Sequence, residues 1–245
     1  MWHGQSISII FPAYNEEAGI QSAIREFFDL TFENGTPIVD EIIVVNNNSN
    51  DRTADLAVAA GARVILEPRQ GYGFALQRGL REAKTDFVVL CEPDGTFLPR
   101  DLFKLLAYAQ DFEMVCGTRT TKELFWEEAN MGIFLRWGNF FVAKMMEFLY
   151  GTSSLSDCGC TFRLIRKSAL DRIIDDLFVG KSHFLPNMII AAKLRKISFI
   201  EISVNYRGRV GSSKITGTLS GTWKTGMAMI FLILSMWPRY VFGRR

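Results

Sequence analysis

The chain has 245 residues, 48% of them hydrophobic and 22% charged, enough apolar matter for a full core and too much for intrinsic disorder. Four cysteines, Cys91, Cys116, Cys158 and Cys160, are too few and too scattered for a disulfide framework; with no basic–apolar–small leader pattern, a cytosolic protein with reduced thiols is the simple expectation. The net charge of +2 hides a division, because residues 193–245 hold ten Lys/Arg against the single acid Glu201, so a basic C-terminal surface is expected to meet something anionic.

In chain order, Ile7–Phe11, Glu41–Val45, Arg63–Leu66, Phe87–Cys91 and Met114–Gly117 have the length and composition of strands. Between them Glu16–Leu30, Asp51–Ala60, Gly73–Ala83 and Asp101–Gln110 read as helices. Ser49 is placed to cap the second, and Gly61 to take the left-handed turn after it. Strands alternating with helices require crossovers, and crossovers make a parallel sheet. Both faces are then covered, which accounts for Ile42–Val45 being apolar without alternation. After Arg119 the pattern changes to a long helical region over Leu124–Tyr150, then a strand near Thr161–Ile165. Helices near Ser168–Ile174 and Pro186–Lys193 and a strand at Ile197–Val204 lead to a Gly/Ser/Arg loop, Arg207–Lys214.

The last helix raises the question of a membrane. Met227–Met236 is apolar but for Ser235, and even extended to Trp223 and Phe242 it falls short of the roughly 18–20 uninterrupted apolar residues of a span. Trp223, Trp237 and Tyr240 stand where interfacial aromatics stand, among Lys224, Arg239, Arg244 and Arg245. An interfacial helix is the preferred expectation, a buried core helix the alternative and a true span the least favoured.

Ligands of an open parallel sheet bind outside the carboxyl ends of its strands. Three strands exit there into polar loops: Pro12-Ala13-Tyr14-Asn15-Glu16-Glu17, Asn46-Asn47-Asn48-Ser49-Asn50-Asp51 and Glu92-Pro93-Asp94-Gly95-Thr96. Glu92 and Asp94 flank Pro93, so both carboxylates can approach one divalent ion, and oxygen ligands without His or Cys suit Mg2+ or Mn2+. The other reading of this triplet is an ordinary solvated turn. Gly71-Tyr72-Gly73 lacks the third glycine of a dinucleotide fingerprint and follows the wrong strand. His3 and His183 have no nucleophile at motif spacing, and Cys158 with Cys160 lacks a second pair for zinc.

These motifs together resemble family 2 glycosyltransferases of the GT-A fold. The residues that carry the likeness are Ser8-Ile-Ile-Phe-Pro-Ala-Tyr-Asn-Glu-Glu17, Val44-Val-Asn-Asn-Asn-Ser-Asn-Asp-Arg-Thr53, Gly71 with Gly73 and Ala75, and Glu92-Pro93-Asp94 in place of Asp-x-Asp. Gly117-Thr118-Arg119, Asp157 before Gly159, Phe162-Arg163-Leu164 and Arg209-Val210-Gly211-Ser212-Ser213-Lys214 fall in the order seen in one branch, the polyprenyl-phosphate sugar synthases such as dolichyl-phosphate mannose synthase. The resemblance implies a Rossmann-like, mainly parallel sheet flanked by helices. It divides the chain into a catalytic domain over 1–222, with a nucleotide-sugar half at 1–120 and an acceptor half at 121–222, and a membrane-facing helix over 223–245.

By the same resemblance, Pro12, Ala13, Tyr14, Glu16, Val45, Asn47, Glu92 and Pro93 would line the nucleotide-sugar pocket. Glu92, Asp94 and Thr96 would hold Mg2+ or Mn2+, and Arg136, Arg207, Arg209, Ser213 and Lys214 would meet phosphates. Asp94, Arg119 and Asp157 are the implied catalytic residues, with Asp157 a base only for a hydroxyl acceptor and otherwise a structural carboxylate paired with an arginine such as Arg163. Ile133 stands where processive synthases carry Gln, which argues against a polymer-making enzyme. Asn46, Asn47 and Asn48 replace carboxylates, which favours a uridine or thymidine diphosphate sugar over a guanosine one, because an amide can pair with a pyrimidine edge; the alternative is that they only shape the loop. The expected activity is inverting transfer of a sugar to a polyprenyl phosphate at the cytoplasmic face of a membrane. A hydroxyl acceptor and a non-catalytic nucleotide-sugar binder are the alternatives. Nucleic acid is not an expected partner, for the basic face lacks aromatics interleaved with Arg on a strand; a homo-oligomer is compatible with this picture.

Overall fold

A computed structural model describes residues 2–124, 126, 133–152, 154–210 and 219–243. Seven strands form one sheet: β1 (Ile7–Ala13), β2 (Glu41–Asn46), β3 (Arg63–Leu66), β4 (Phe87–Leu90), β5 (Met114–Thr118), β6 (Arg163–Arg166) and β7 (Phe199–Ser203). Their order is β3-β2-β1-β4-β6-β5-β7, parallel throughout except for β6, which runs antiparallel between β4 and β5. The expected mainly parallel α/β sheet is therefore present.

Alternate residues of β1 divide between two cores. Ile7, Ile9, Phe11 and Ala13 pack with α1 (Ile20–Phe28), α2 (Thr53–Ala59) and α4 (Leu102–Tyr108). Ile10 turns to the other face, with α3 (Tyr72–Glu82), α5 (Ile133–Tyr150), α6 (Lys167–Ile173), α7 (Phe184–Leu194) and α8 (Leu219–Phe242). A continuous apolar strand fits this arrangement because neither of its faces meets water.

Two local expectations are corrected. Ser49 does not cap α2; its Oγ accepts the Asn15 N–H (3.1 Å), while Asp51 accepts the N–H of Thr53 (3.0 Å) at the helix start. The first helix begins at Ile20 rather than Glu16, and the Glu16 and Glu17 N–H groups bind Thr53 Oγ1 (2.8 Å) and Asp51 (3.2 Å). These cross-links lace the β1–α1 loop to the β2–α2 loop, and the run of small polar residues after β2 supplies them. Gly61 does take the expected left-handed conformation, with φ +92°.

The Gly71-Tyr72-Gly73 segment serves close packing. A Cβ on Gly73 would lie 2.1 Å from the Val179 carbonyl oxygen, and one on Gly71 2.3 Å from that of Gly180. The start of α3 thus rests directly on the Val179–Gly180 backbone, where the Phe74 N–H donates to Gly180 O (3.2 Å).

Helix α8 is neither wholly core nor free. Met229, Leu232, Ile233 and Met236, one stripe at helical spacing, are buried among α5 and α7. Tyr150 Oη of α5 donates to Ile233 O (2.6 Å) and Trp237 Nε1 to Leu149 O (3.0 Å). The opposite side exposes Trp223, Met227, Phe231, Leu234 and Phe242. By length and composition Gly221–Phe242 is apolar enough to cross a membrane, longer than the uninterrupted apolar count suggested, because the helix continues through Gly221, Thr222 and Lys224.

Candidate active site

Strand β1 is followed by β2 on one side and flanked by β4 on the other, so the loops leaving β1 and β4 diverge and open a crevice. Pro12 and Ala13 end β1 in register with Val45 and Asn46, all at this edge, with Pro12, Ala13 and Val45 buried and Tyr14 and Glu16 partly exposed.

On the β4 side the chain turns through Glu92-Pro93-Asp94, with Gly95 at φ +75°. Asp94 is buried, and its Oδ1 accepts both the N–H (3.0 Å) and the hydroxyl (2.6 Å) of Thr96. Oδ2 lies 2.6 Å from Arg209 Nη2 yet receives no aligned hydrogen bond. Glu92 Oε2 accepts from the same Arg209 nitrogen (3.0 Å), and Oε1 accepts from Thr161 Oγ1 (2.8 Å), which in turn lies 2.6 Å from Tyr72 Oη. Burial, and then the adjacent Asp94 carboxylate, push the Glu92 carboxyl up to about 7 against the opposing pull of Arg209.

Arg209 comes from the segment after β7, which lies along the carboxylate turn. Tyr206 pairs with Phe97 in an antiparallel bridge, the Arg207 N–H donates to Thr96 O (2.9 Å) and the Val210 N–H to Asp94 O (2.9 Å). Arg207 itself points elsewhere, to Gly95 O and to Glu26 (2.5 Å).

A second charged pair sits beside it. Arg119, at the end of β5, donates from Nε (2.7 Å) and Nη2 (2.9 Å) to the two oxygens of Asp157, and its guanidinium lies over the Tyr206 ring, 5.3 Å from the centroid. Asp157 is fully buried, and also accepts the N–H groups of Arg119 (3.2 Å) and Gly159 (3.1 Å). Burial alone would push this carboxyl up, but Arg119 and these N–H groups outweigh it and hold it below the ordinary carboxylate range. Arg163 is not its partner. That side chain, also fully buried, donates to the carbonyls of Cys160 (2.8 Å), Leu185 (2.9 Å) and Cys158 (2.7 Å), bracing the loop that carries Asp157.

The asparagines are engaged with neighbouring loops. Asn47 donates to Glu67 O (2.9 Å) and Arg69 O (2.8 Å) and accepts the Gly71 N–H (2.7 Å), so its amide is engaged in holding the β3–α3 loop. Asn48 donates to Pro68 O (2.8 Å), and Asn46 accepts the Ser49 N–H (3.0 Å). All three side chains thus hold loop backbone in this structure. The Thr96 hydroxyl is similarly engaged with Asp94. The Arg136 side chain, Ser213 and Lys214 lie outside the described residues.

Tyr72, Thr161 and Tyr206 complete the cluster and were not singled out from sequence. Thr161 and Tyr206 have no motif of their own, and Tyr72 hid inside the Gly-Tyr-Gly segment, whose glycines drew attention to a dinucleotide fingerprint. The donor set fits a divalent ion in part: one buried carboxylate oxygen without a hydrogen bond beside a second carboxylate. No group of three His, Cys, Asp or Glu occurs among the described residues, which leaves remaining positions for water and diphosphate oxygens.

Comparison with known proteins agrees with this architecture. The glycosyl transferase family 2 profile matches residues 8–174. An uncharacterized glycosyltransferase of Mycobacterium tuberculosis is 27% identical over 239 residues, covering 96% of this chain and 97% of its own. A dolichyl-phosphate hexose transferase of Haloferax volcanii is 29% identical over 210 residues, 85% of this chain and 86% of its own. A dolichyl-phosphate beta-glucosyltransferase of Trichomonas vaginalis is 26% identical over 249 residues, 94% of this chain and 75% of its own. Among solved structures, glucosyl-3-phosphoglycerate synthase from M. tuberculosis, in complex with Mn2+, UDP-glucose and phosphoglyceric acid, superposes with a TM-score of 0.74 at 20% identity over 96% of this chain and 81% of its own. The sheet order, the carboxylate turn after β4 and the family match agree: the chain belongs to glycosyl transferase family 2 and is a nucleotide-sugar-dependent glycosyltransferase of the GT-A fold.

Proposed function

We propose that the enzyme moves a hexosyl group from a uridine diphosphate sugar to the phosphate of a polyprenyl lipid, with inversion, at the cytoplasmic face of a membrane. The observation that carries this reading is the locked Arg119–Asp157 pair next to the Glu92–Asp94–Arg209 cluster. A hydroxyl acceptor needs a base, and both oxygens of Asp157 are already engaged. A phosphate monoester, largely dianionic at neutral pH, needs none, and it would be drawn by arginine. Arg119 and Arg209 serve as phosphate-facing cations, while Pro12, Tyr14, Glu16 and Val45 line the nucleoside side. Glu92 and Asp94 would hold Mg2+ or Mn2+, which when bound neutralises charge developing on the diphosphate. Thr96 keeps Asp94 aimed, because its N–H and hydroxyl fix Oδ1 and leave Oδ2 without a hydrogen bond.

The uridine preference rests on the UDP complexes of the related synthase, since the asparagines have other work. The lipid acceptor draws on the two dolichyl-phosphate relatives and on exposed aromatics of the paired helices α5 and α8: Trp137, Phe141 and Phe148 on one, Trp223, Phe231 and Phe242 on the other. Aromatic and apolar side chains near basic residues favour a peripheral hold on anionic lipid.

The test is to incubate the enzyme and membranes with labelled UDP-glucose and related UDP-hexoses, then extract lipid. Label in an acid-labile lipid phosphate is expected, with Asp94→Asn losing a hundredfold or more, about 3 kcal/mol of transition-state stabilisation. Label only in water-soluble product would replace the lipid with a small hydroxyl acceptor, and full activity in Asp94→Asn would remove the metal from the reading.

A further inference from the structure

The Glu92 and Asp94 carboxylates already hold a cation, and it belongs to the protein. One nitrogen, Arg209 Nη2, lies 3.0 Å from Glu92 Oε2 and 2.6 Å from Asp94 Oδ2, between one oxygen of each carboxylate. No other basic side chain is paired with either carboxylate among the described residues. The missing hydrogen bond at Asp94 Oδ2 shows that this contact is one of charge rather than of directed N–H donation. The backbone around Arg209 is fixed to the carboxylate turn through Arg207 N–H to Thr96 O and Val210 N–H to Asp94 O, so the guanidinium is held close by its own chain.

We infer that Arg209 is a resident counter-ion that competes with the divalent metal for Glu92 and Asp94, so that tight metal binding requires the diphosphate to draw Arg209 away. A metal ion on the oxygens that Arg209 now holds would lie next to the guanidinium, and the repulsion between two cations so close weakens the hold on each. The anchored backbone allows the exchange without unfolding, since only the side chain need rotate. When a diphosphate arrives it supplies a new anion for Arg209 and further oxygens for the metal. The two events then favour each other, and by linkage the metal strengthens diphosphate binding by the same factor. The rationale is electrostatic: the resident arginine keeps two adjacent carboxylates from being left unpaired in the enzyme without donor.

This inference rests on the carboxylate pair being the metal site, and its test uses neither sugar donor nor acceptor, so a failure to find lipid product leaves it unaffected. Mn2+ binding is measured by loss of the free Mn2+ paramagnetic resonance signal, with and without UDP, for the unaltered protein, Arg209→Gln and Asp94→Asn. Without UDP, Arg209→Gln should bind Mn2+ at least tenfold more tightly than the unaltered protein. With UDP the gap should close or reverse, because the variant lacks the diphosphate contact. Asp94→Asn should abolish the tight binding in both conditions. Equal Mn2+ affinity of Arg209→Gln and the unaltered protein without UDP would overturn the inference. Crystals of the unaltered protein with Mn2+ and UDP give a reading that does not depend on the variant folding: Arg209 on the diphosphate supports it, and Arg209 still bridging Glu92 and Asp94 overturns it.

Discussion

Replacing Asp157 with alanine should be among the most damaging single changes in this chain. The carboxylate is fully buried and Arg119 is only 11% exposed, so the variant would leave a guanidinium with little water and no counter-charge. Two side-chain hydrogen bonds, at 2.7 and 2.9 Å, and two backbone N–H contacts would go at once. Removing one partner of a buried pair costs about 3–5 kcal/mol, which here dominates the small cavity left by the truncation. Asp157→Asn keeps the shape and one acceptor and should cost less, about 2 kcal/mol. The double change Arg119→Met with Asp157→Leu removes both charges and should recover most of the loss, because well-packed apolar replacements of buried pairs are often neutral. Urea unfolding of the four proteins, with slopes compared, measures this directly. The sign with pH follows from the lowered Asp157 carboxyl: its contribution is complete above the ordinary Asp range and is lost as acid protonates the folded form, well below neutrality. If Asp157→Ala lost under about 1 kcal/mol with an unchanged slope, the pair would be behaving like a screened surface bridge and the reasoning would fail.

Glu92 titrates at about 7 in the folded protein against an ordinary 4.5, so the native state holds its proton longer than the unfolded chain does. Its favourable contribution is therefore complete below the ordinary 4.5 and is lost as pH rises through 7; in chelator, stability relative to Glu92→Gln should fall by roughly 2–3 kcal/mol between pH 5 and 8, and a flat difference would contradict the shift. Gly73→Ala sets a Cβ 2.1 Å from Val179 O, a backbone atom that cannot step aside, and should cost about 2–3 kcal/mol in urea unfolding; an unchanged midpoint would show that α3 slides freely. Changing Trp223, Phe231 and Phe242 together to serine should cut sedimentation with anionic vesicles at least tenfold while leaving thermal unfolding intact, and undiminished binding would exclude this face as the lipid contact. Deleting α8 is the poorer test, because it would also bare the Met229, Leu232, Ile233 and Met236 stripe.

The alternation of apolar runs with amphipathic helices was enough to establish the parallel sheet, since periodicity is a property of neighbouring residues and survives without tertiary context. The strand at Arg63–Leu66 was legible to the residue, and the carboxylates of Glu92-Pro93-Asp94 were legible because a polar turn after an apolar strand in such a sheet must open at its ligand-binding edge. The antiparallel insertion of β6 between β4 and β5 was not, because strand order depends on contacts between distant segments and leaves no local pattern. The same distance hid the partners. Nothing near Asp157 in the chain distinguishes Arg119, 38 positions away, from Arg163, six away; the fold chose the far one by turning Arg163 into a cage of backbone carbonyls. The asparagines after β2 were conspicuous as polar residues at a crevice, but their amides were claimed by carbonyls of a loop about twenty residues on. Residue type and spacing thus determine which groups reach the edge of the sheet. Which of them remain open to a ligand, and which are consumed by neighbours, is decided only when segments distant in sequence come within hydrogen-bonding distance.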